Sequence, residues 1–344
     1  MKAYPFKNLV FEGGGVKGIA YLGMLEVLDS KGILSQIERL AGASAGAITS
    51  AIVSFDLPFD ELKKIADTLD YSKIPDKENL RQEDIVEMQE FAKVSCGVEG
   101  KFGGIFDDIV CIYRLIKRYG WYSSDYIYTW LKDTIAGQFN NKKKPPYTFA
   151  DFRNASLHKS GKPFADLYVI GTDISNHCTR VFSADLTPDV EVATAVRISM
   201  SIPLFFESID FEYPGLGEEN IFSDGGVMRN YPINIFDYPE FGNSFRDNVN
   251  IETLGGHLFT PKNCQKKKAV TNIVFYIENL FESLLQVQDD AFNNNPDDQA
   301  RTINIDNKCV STTDFNIKPG DETYCKLYNS GKEAAEKYLI RITK

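Results

Sequence analysis

Histidine is scarce in this chain: three occur in 344 residues, at His158, His177 and His257. A hydrolytic triad that needs an imidazole therefore has few places to find one. Basic residues are outnumbered, 38 Lys and Arg against 48 Asp and Glu for a net charge of -10. That balance argues against a nucleic-acid binder relying on bulk charge, and an anionic membrane would on average repel the chain. The six cysteines, Cys96, Cys111, Cys178, Cys264, Cys309 and Cys325, form no CxxC pair, and reduced thiols of a cytosolic protein are the expectation. No apolar run is long enough to cross a bilayer. The residues from Met1 to Lys7 lack the apolar stretch and small-residue cleavage site of a secretory leader. No EF-hand loop is present, and no Gly-Lys-Ser/Thr follows the glycines near the start.

What the chain does have is an ordinary globular composition, 43% hydrophobic and 25% charged, enough for a sizeable packed core. Asn8 to Phe11 reads as a short buried strand that runs into glycines, and apolar residues from Ile19 to Leu28 then recur at helical spacing until Gly32. Arg39 to Ala41 repeats the strand, and Ala45 to Phe55 the helix. Strand, turn, helix, strand, turn, helix is the grammar of an α/β fold with a central, mainly parallel sheet flanked by helices. Residues 59–140 read as a helical insertion in the middle of the chain, a candidate lid, with Ser72 to Glu83 and Gly97 to Gly104 as mobile connections. Strand character returns at Leu167 to Thr172 and Thr179 to Phe182, followed by a helix from Val190 to Met200. Ile251 to Leu258 is a candidate strand. Val270 to Phe292 reads as a long amphipathic helix and Tyr324 to Ile340 as a terminal one. With no composition break, residues 1–344 are expected to form one domain, with 240–344 as a mostly helical C-terminal part.

Ser44 is the first residue with a chemical signature. It sits in Gly42-Ala43-Ser44-Ala45-Gly46, where flanking glycines permit a sharp strand-to-helix turn that exposes a serine hydroxyl at the strand's carboxyl end. The helix that follows aims its partial positive charge at a developing anion. Gly13-Gly14-Gly15-Val16-Lys17-Gly18 supplies a second element, a run of backbone N–H groups at a helix start able to cradle an oxyanion, with Lys17 at its rim or neutralising Glu12 or Glu26. Asp224-Gly225-Gly226 supplies a third, a carboxylate at a strand end where the chain turns. An aspartate near its usual pKa of about 3.9 is a weak base, so burial is expected to raise it.

Two other readings use the same residues. Gly13, Gly15 and Gly18 satisfy the dinucleotide fingerprint Gly-x-Gly-x-x-Gly, which makes a nucleotide-binding module the alternative without turnover. The next strand, however, ends in the serine turn instead of the acidic residue that would hold a ribose. A non-lipid esterase with a Ser-His-Asp triad would need a histidine after the acid, and His257 satisfies that order.

The ordered triple, Gly13 to Gly18, Gly42 to Gly46 and Asp224 to Gly226, resembles the patatin-like phospholipase family. The small residues from Ala193 to Pro203, with Ser199 and Ser201, are similar to a stretch of that family too. The likeness covers Asn8 to Pro232. It implies a three-layer fold in which Ser44 is the nucleophile and Asp224 its sole catalytic partner, with Gly13, Gly14 and Gly15 forming the oxyanion hole. Lys17, Gly18, Gly42, Gly46, Gly225 and Gly226 would support them. The implied reaction is hydrolysis of a fatty-acyl ester through an acyl-enzyme, of phospholipase A or lysophospholipase type, with no metal and no cofactor.

The partners expected are a phospholipid or other acyl lipid, a peripheral membrane surface and an activating protein or small ligand, with nucleic acid excluded as substrate. A cytoplasmic location and a host-delivered effector are both compatible with the sequence. Phe102, Phe106, Trp121, Tyr122, Tyr126, Tyr128 and Trp130 make the insertion aromatic-rich, as core or as a lipid-facing surface. Lys142 to Lys144 and Lys266 to Lys268 are candidate headgroup contacts.

Overall fold

The computed structural model describes residues 4–75, 106–264, 270 and 273–343. Gly97 to Gly104, most of Ser72 to Glu83, Phe102 and Lys266 to Lys268 lie outside the described residues, as does the side chain of Phe106.

Twelve strands are described: β1 (Asn8–Phe11), β2 (Arg39–Ala43), β3 (Gly120–Tyr122), β4 (Asp166–Asp173), β5 (Cys178–Phe182), β6 (Leu204–Phe206), β7 (Ile209–Glu212), β8 (Glu219–Asp224), β9 (Phe245–Arg246), β10 (Val249–Asn250), β11 (Thr253–Phe259) and β12 (Thr302–Asp306). Eight of them make the main sheet, in the order β12-β11-β1-β2-β4-β8-β7, with β5 also paired to β4. From β12 to β4 every pairing is parallel. β5 and β8 run antiparallel to β4, and β7 antiparallel to β8. β1 is buried along its whole length and β2 along all but its first residue, as strands covered by helices on both faces must be.

Helix α1 (Ala20–Ser30) follows the glycine turn after β1, and α2 (Ala45–Val53) follows Ser44 directly. The inner residues Ala47, Ala51 and Leu25 are at most 1% exposed. Small residues in α2 let it lie close to the sheet. Helix α3 (Phe59–Ala66) and the helices Phe106–Lys117 and Asp125–Ala136 belong to the expected insertion. Within it β3 pairs with β6, joining the insertion to the strand that follows Pro203.

The stretch 240–344 is not only helical: it supplies β11 and β12, which extend the parallel sheet beyond β1. Its terminal helix, Glu322–Thr343, packs on α1 at backbone distance. A Cβ on Gly23 would overlap the Tyr328 carbonyl, and one on Gly331 the Ala20 carbonyl. The loops leaving β11 and β12 are held together by a Cys264–Cys309 disulfide, with Cα atoms 5.2 Å apart. This corrects the expectation of reduced thiols for that pair. Two parallel neighbours finish at the same end of the sheet, so the loops that leave them are close although 45 residues separate the cysteines. Among the described residues no helix is long and apolar enough to cross a membrane.

Candidate active site

β2 delivers Ser44 at its carboxyl end, and the turn into α2 is strained. Ser44 has φ 52° and ψ -124°, a region that residues with a Cβ enter only when their surroundings force it. The flanking glycines make the turn fit. A Cβ on Gly42 would overlap the Gly46 carbonyl, and one on Gly46 would overlap the Phe11 carbonyl. The amide of Ser44 donates to Ser199 Oγ at 2.9 Å, while its carbonyl accepts from Ala47 and opens the helix.

β8 delivers Asp224 from the antiparallel side, in register with Gly171 of β4. The turn after it is clamped. Asp224 N–H donates to the Ser201 carbonyl at 2.9 Å and Gly225 N–H to the Ser199 carbonyl at 3.0 Å. Thr172 Oγ1 donates to the Asp224 carbonyl at 2.8 Å, and Gly226 N–H donates to Asp224 Oδ1 at 2.6 Å. The other carboxylate oxygen, Oδ2, is buried with no ordinary hydrogen-bond partner. Burial pushes the Asp224 carboxyl up to about 7, against the opposing pull of the Gly226 amide and the Ser44 hydroxyl. The two side chains that the sequence singled out thus meet. Ser199 links them, accepting the Ser44 amide with its side chain and the Gly225 amide with its carbonyl.

The glycine turn after β1 closes the site's third side. A Cβ on Gly13 would sit 2.9 Å from the Ser44 Cβ. Gly13 N–H, however, donates to the Asn230 carbonyl at 3.0 Å, so the expectation of three glycine donors narrows to two. Gly14 and Gly15 donate to no described residue, whereas the next amide, Val16, donates to the Thr312 carbonyl at 3.2 Å. Gly18 lies against Ala45. Lys17 is not at an open rim. Its side chain is 8% exposed and its Nζ lies 3.5 Å from Glu282, while Glu26 is paired with Lys332.

An apolar pocket of about 80 Å³ runs from Ser44 under the insertion. Leu22, Leu25 and Ile48 line it from the α/β core, and Leu62, Leu69, Tyr71, Ile127 and Trp130 from the insertion. Trp130 is fixed there by its indole N–H, which donates to Thr68 Oγ1 at 2.9 Å. Tyr122, Tyr126, Tyr128 and Trp130 all pack half-buried against the core. Of these four, Trp130 lines the pocket, and the three tyrosines pack the insertion onto the core.

The histidines are engaged elsewhere. His158 stacks on Phe164 with ring centroids 3.6 Å apart and bonds two carbonyls. His177 is exposed in the turn before β5. His257, on β11, is 2% exposed and faces Glu12 and Asp289. Burial works against its positive charge, but the two carboxylates outweigh it and raise its pKa. Burial likewise raises Glu12 to about 7, although His257 draws it down.

Sequence reasoning missed Asn230. Its Nδ2 donates to Glu12 Oε1 at 3.0 Å and to the Gly13 carbonyl at 3.2 Å. It also missed Gln288, whose side chain accepts the Asn230 amide at 2.7 Å and donates to the Gly226 carbonyl at 2.8 Å. The helix carrying Gln288, Ile273–Asn293, buries Ile277, Phe281 and Leu285. The flank beside that strip is apolar too: Tyr276, Leu280, Leu284 and Val287 are 53%, 44%, 41% and 70% exposed. The helix is amphipathic, as expected, but its apolar arc is wider than the strip that the core covers. The sequence signal for Asn230 was only its place shortly after Asp224, and for Gln288 only its place in the helix expected over Val270 to Phe292.

A serine at a strained strand–helix turn, beside a buried carboxylate and under an apolar pocket, in a mainly parallel sheet, is the architecture of a lipid-hydrolase fold. The patatin-like phospholipase family model matches residues 9–237, more than half of the chain, and the chain belongs to that family. It is 31% identical over 233 residues to the uncharacterized protein YqhO of Bacillus subtilis, a match covering 66% of this chain and 65% of that protein. It is 24% identical over 236 residues to the probable lipid hydrolase 463L of Invertebrate iridescent virus 6, covering 68% and 64%. Both matches thus span less than two thirds of the relative's own length. Among solved structures, VipD from Legionella pneumophila shares the fold with a TM-score of 0.56 at 20% identity, over 98% of this chain and 67% of that one.

Proposed function

We propose that this chain is a lipid acyl hydrolase of phospholipase A or lysophospholipase type, acting through a Ser44–Asp224 dyad and an acyl-enzyme. The observation that carries the reading is the position of Ser44, which on its strained turn both lines the apolar pocket and meets the buried Asp224 carboxylate. A fatty-acyl chain fits the pocket's chemistry, and its carbonyl would then lie at the Ser44 hydroxyl.

In the first half-reaction Asp224 accepts the Ser44 proton as Oγ bonds to the acyl carbon. The carbonyl oxygen gains charge opposite the Gly14 and Gly15 amides, which have no competing partner among the described residues. Collapse breaks the ester bond, and the proton held by Asp224 goes to the leaving alcohol. In the second, water gives its proton to Asp224 and attacks the acyl-enzyme, releasing the fatty acid and restoring Ser44. A carboxyl that titrates near 7 matches this alternation better than one near 4, since both of its protonation states are then accessible at neutral pH. The exposed apolar side of Ile273–Asn293 supports peripheral contact with a lipid surface. An activating partner or ligand, and action either in the cytoplasm or in a host cell, belong to the same proposal.

The test is fatty-acid release from mixed phospholipid and lysophospholipid vesicles by the wild type and Ser44→Ala, with a serine-directed fluorophosphonate as a second readout. Release and labelling are expected from the wild type and neither from the variant. Release that persists in Ser44→Ala would remove the assignment, and replacing His158, His177 and His257 without loss of turnover would exclude the triad alternative.

A further inference from the structure

On the far side of the glycine turn from Ser44, three ligand-type groups converge that the proposed reaction does not use. Glu12 leaves the end of β1, His257 projects from β11, and Asp289 comes from the helix Ile273–Asn293. One donor atom from each lies within 4.8 Å of the others. His257 Nε2 is 3.7 Å from Glu12 Oε2 and 3.5 Å from Asp289 Oδ1. Both ring nitrogens of His257 are buried and make no hydrogen bond of ordinary geometry, with Asp289 and Asn304 the polar side chains beside the ring.

We propose that Glu12, His257 and Asp289 form a binding site for one divalent first-row transition ion, of which zinc is the best fit. The spacing is the first argument. Four ligands held tetrahedrally at about 2.1 Å lie about 3.4 Å from one another, whereas octahedral neighbours lie about 3.0 Å apart. The two separations from His257 Nε2, 3.7 and 3.5 Å, fall close to the tetrahedral value, and the two carboxylate oxygens lie within 4.8 Å of each other. The donor set is the second argument: one imidazole with two carboxylates suits zinc, and it suits calcium or magnesium poorly because those ions take oxygen ligands.

The surroundings are those of supported ligands. Glu12 Oε1 accepts from Asn230 Nδ2 at 3.0 Å, and Oε2 accepts from the Leu258 amide at 2.6 Å. Outer hydrogen bonds of this kind orient metal-binding carboxylates. A pocket of about 220 Å³, lined in part by Glu12 and Asp289, leads to the cluster and gives a fourth position to water. The ion touches no reacting atom. It would tie β1, β11 and the long helix together where Gly13 begins, and so hold the glycine turn in place.

The experiment uses the full-length protein, first by elemental analysis as purified and then by calorimetric titration with Zn²⁺, Mn²⁺ and Ca²⁺ after chelator dialysis. One Zn²⁺ per chain is expected, with a rise in Tm and weaker or absent response to Ca²⁺. Asp289 is partly exposed on its helix, so Asp289→Asn should fold, and it should weaken Zn²⁺ binding by about tenfold or more. His257→Gln should abolish binding. Substituting Co²⁺ should give the visible absorption of a tetrahedral nitrogen–oxygen site. Failure to bind one equivalent, or equal affinity in Asp289→Asn, would overturn the proposal. Since the readout is binding, it stands or falls separately from hydrolysis.

Discussion

Asp224→Asn should make the protein more stable while removing its chemistry, and by an amount that depends on pH. The substitution keeps an acceptor for the Gly226 amide and removes a charge that the interior disfavours. In the unfolded chain Asp224 titrates at about 3.8, and in the folded protein at about 7. A folded pKa raised above the unfolded one means that the folded state holds its proton longer. The stabilising contribution is complete below pH 3.8 and is lost as pH rises to about 7. With 1.36 kcal/mol for each unit, the wild type gives up about 1.7 kcal/mol by pH 5 and about 4 kcal/mol by pH 8. The excess stability of Asp224→Asn should therefore grow by about 2.5 kcal/mol between those two pH values. Urea denaturation of both proteins at pH 5 and pH 8 measures it. The same titration sets the nucleophile, so fluorophosphonate labelling of Ser44 should slow by about a hundredfold from pH 8 to pH 5, with a midpoint near 7. Parallel stability curves for the two proteins, together with labelling that ignores pH, would refute the reasoning.

Two further outcomes follow from the site. Gly13→Ala places a methyl group against Asn230 Oδ1 and 2.9 Å from the Ser44 Cβ; it should cost about 1–3 kcal/mol in stability. By shifting the Gly14 and Gly15 amides it should also lower kcat by about a hundredfold or more, read on a soluble short-chain ester. Leu280→Glu with Leu284→Glu charges the exposed side of Ile273–Asn293. Vesicle flotation should show reduced binding while turnover of the soluble ester is unchanged, and unchanged flotation would count against a lipid-facing role.

The parts of the fold that could be read from the chain are those where one short segment decides its own geometry. Gly42 to Gly46 dictates a strand–turn–helix whatever surrounds it, and the glycines after Phe11 do the same. The long helix expected over Val270 to Phe292 is found at Ile273–Asn293, and the terminal one over Tyr324 to Ile340 at Glu322–Thr343. Apolar periodicity survives its context. β12 was missed because Thr302–Asp306 is five residues long with a polar centre at Asn304, and only its pairing with β11 makes it a strand. The antiparallel entry of β8 was equally hidden, since strand direction is set by partners. In the site, the sequence named the serine, the carboxylate and the glycines but assigned Gly13 as a donor. That amide is taken by Asn230, 217 residues away, a contact that no local pattern announces. Gln288 escaped for the same reason, and Ser199 was named in a family-like stretch without its role as the link between the two turns. They act by bridging turns that are brought together only by the finished sheet.

The backbone-close seam between α1 and Glu322–Thr343 bears on where this protein could be cut. The family match ends at residue 237, which invites excision of a minimal unit there. Such a fragment would lose β11, β12 and the partner against which Gly23 is moulded, leaving β1 as a bare sheet edge beside the very turn that faces Ser44. The residues beyond 237 thus complete the sheet beside β1 and shore up the helix that follows the first glycine turn.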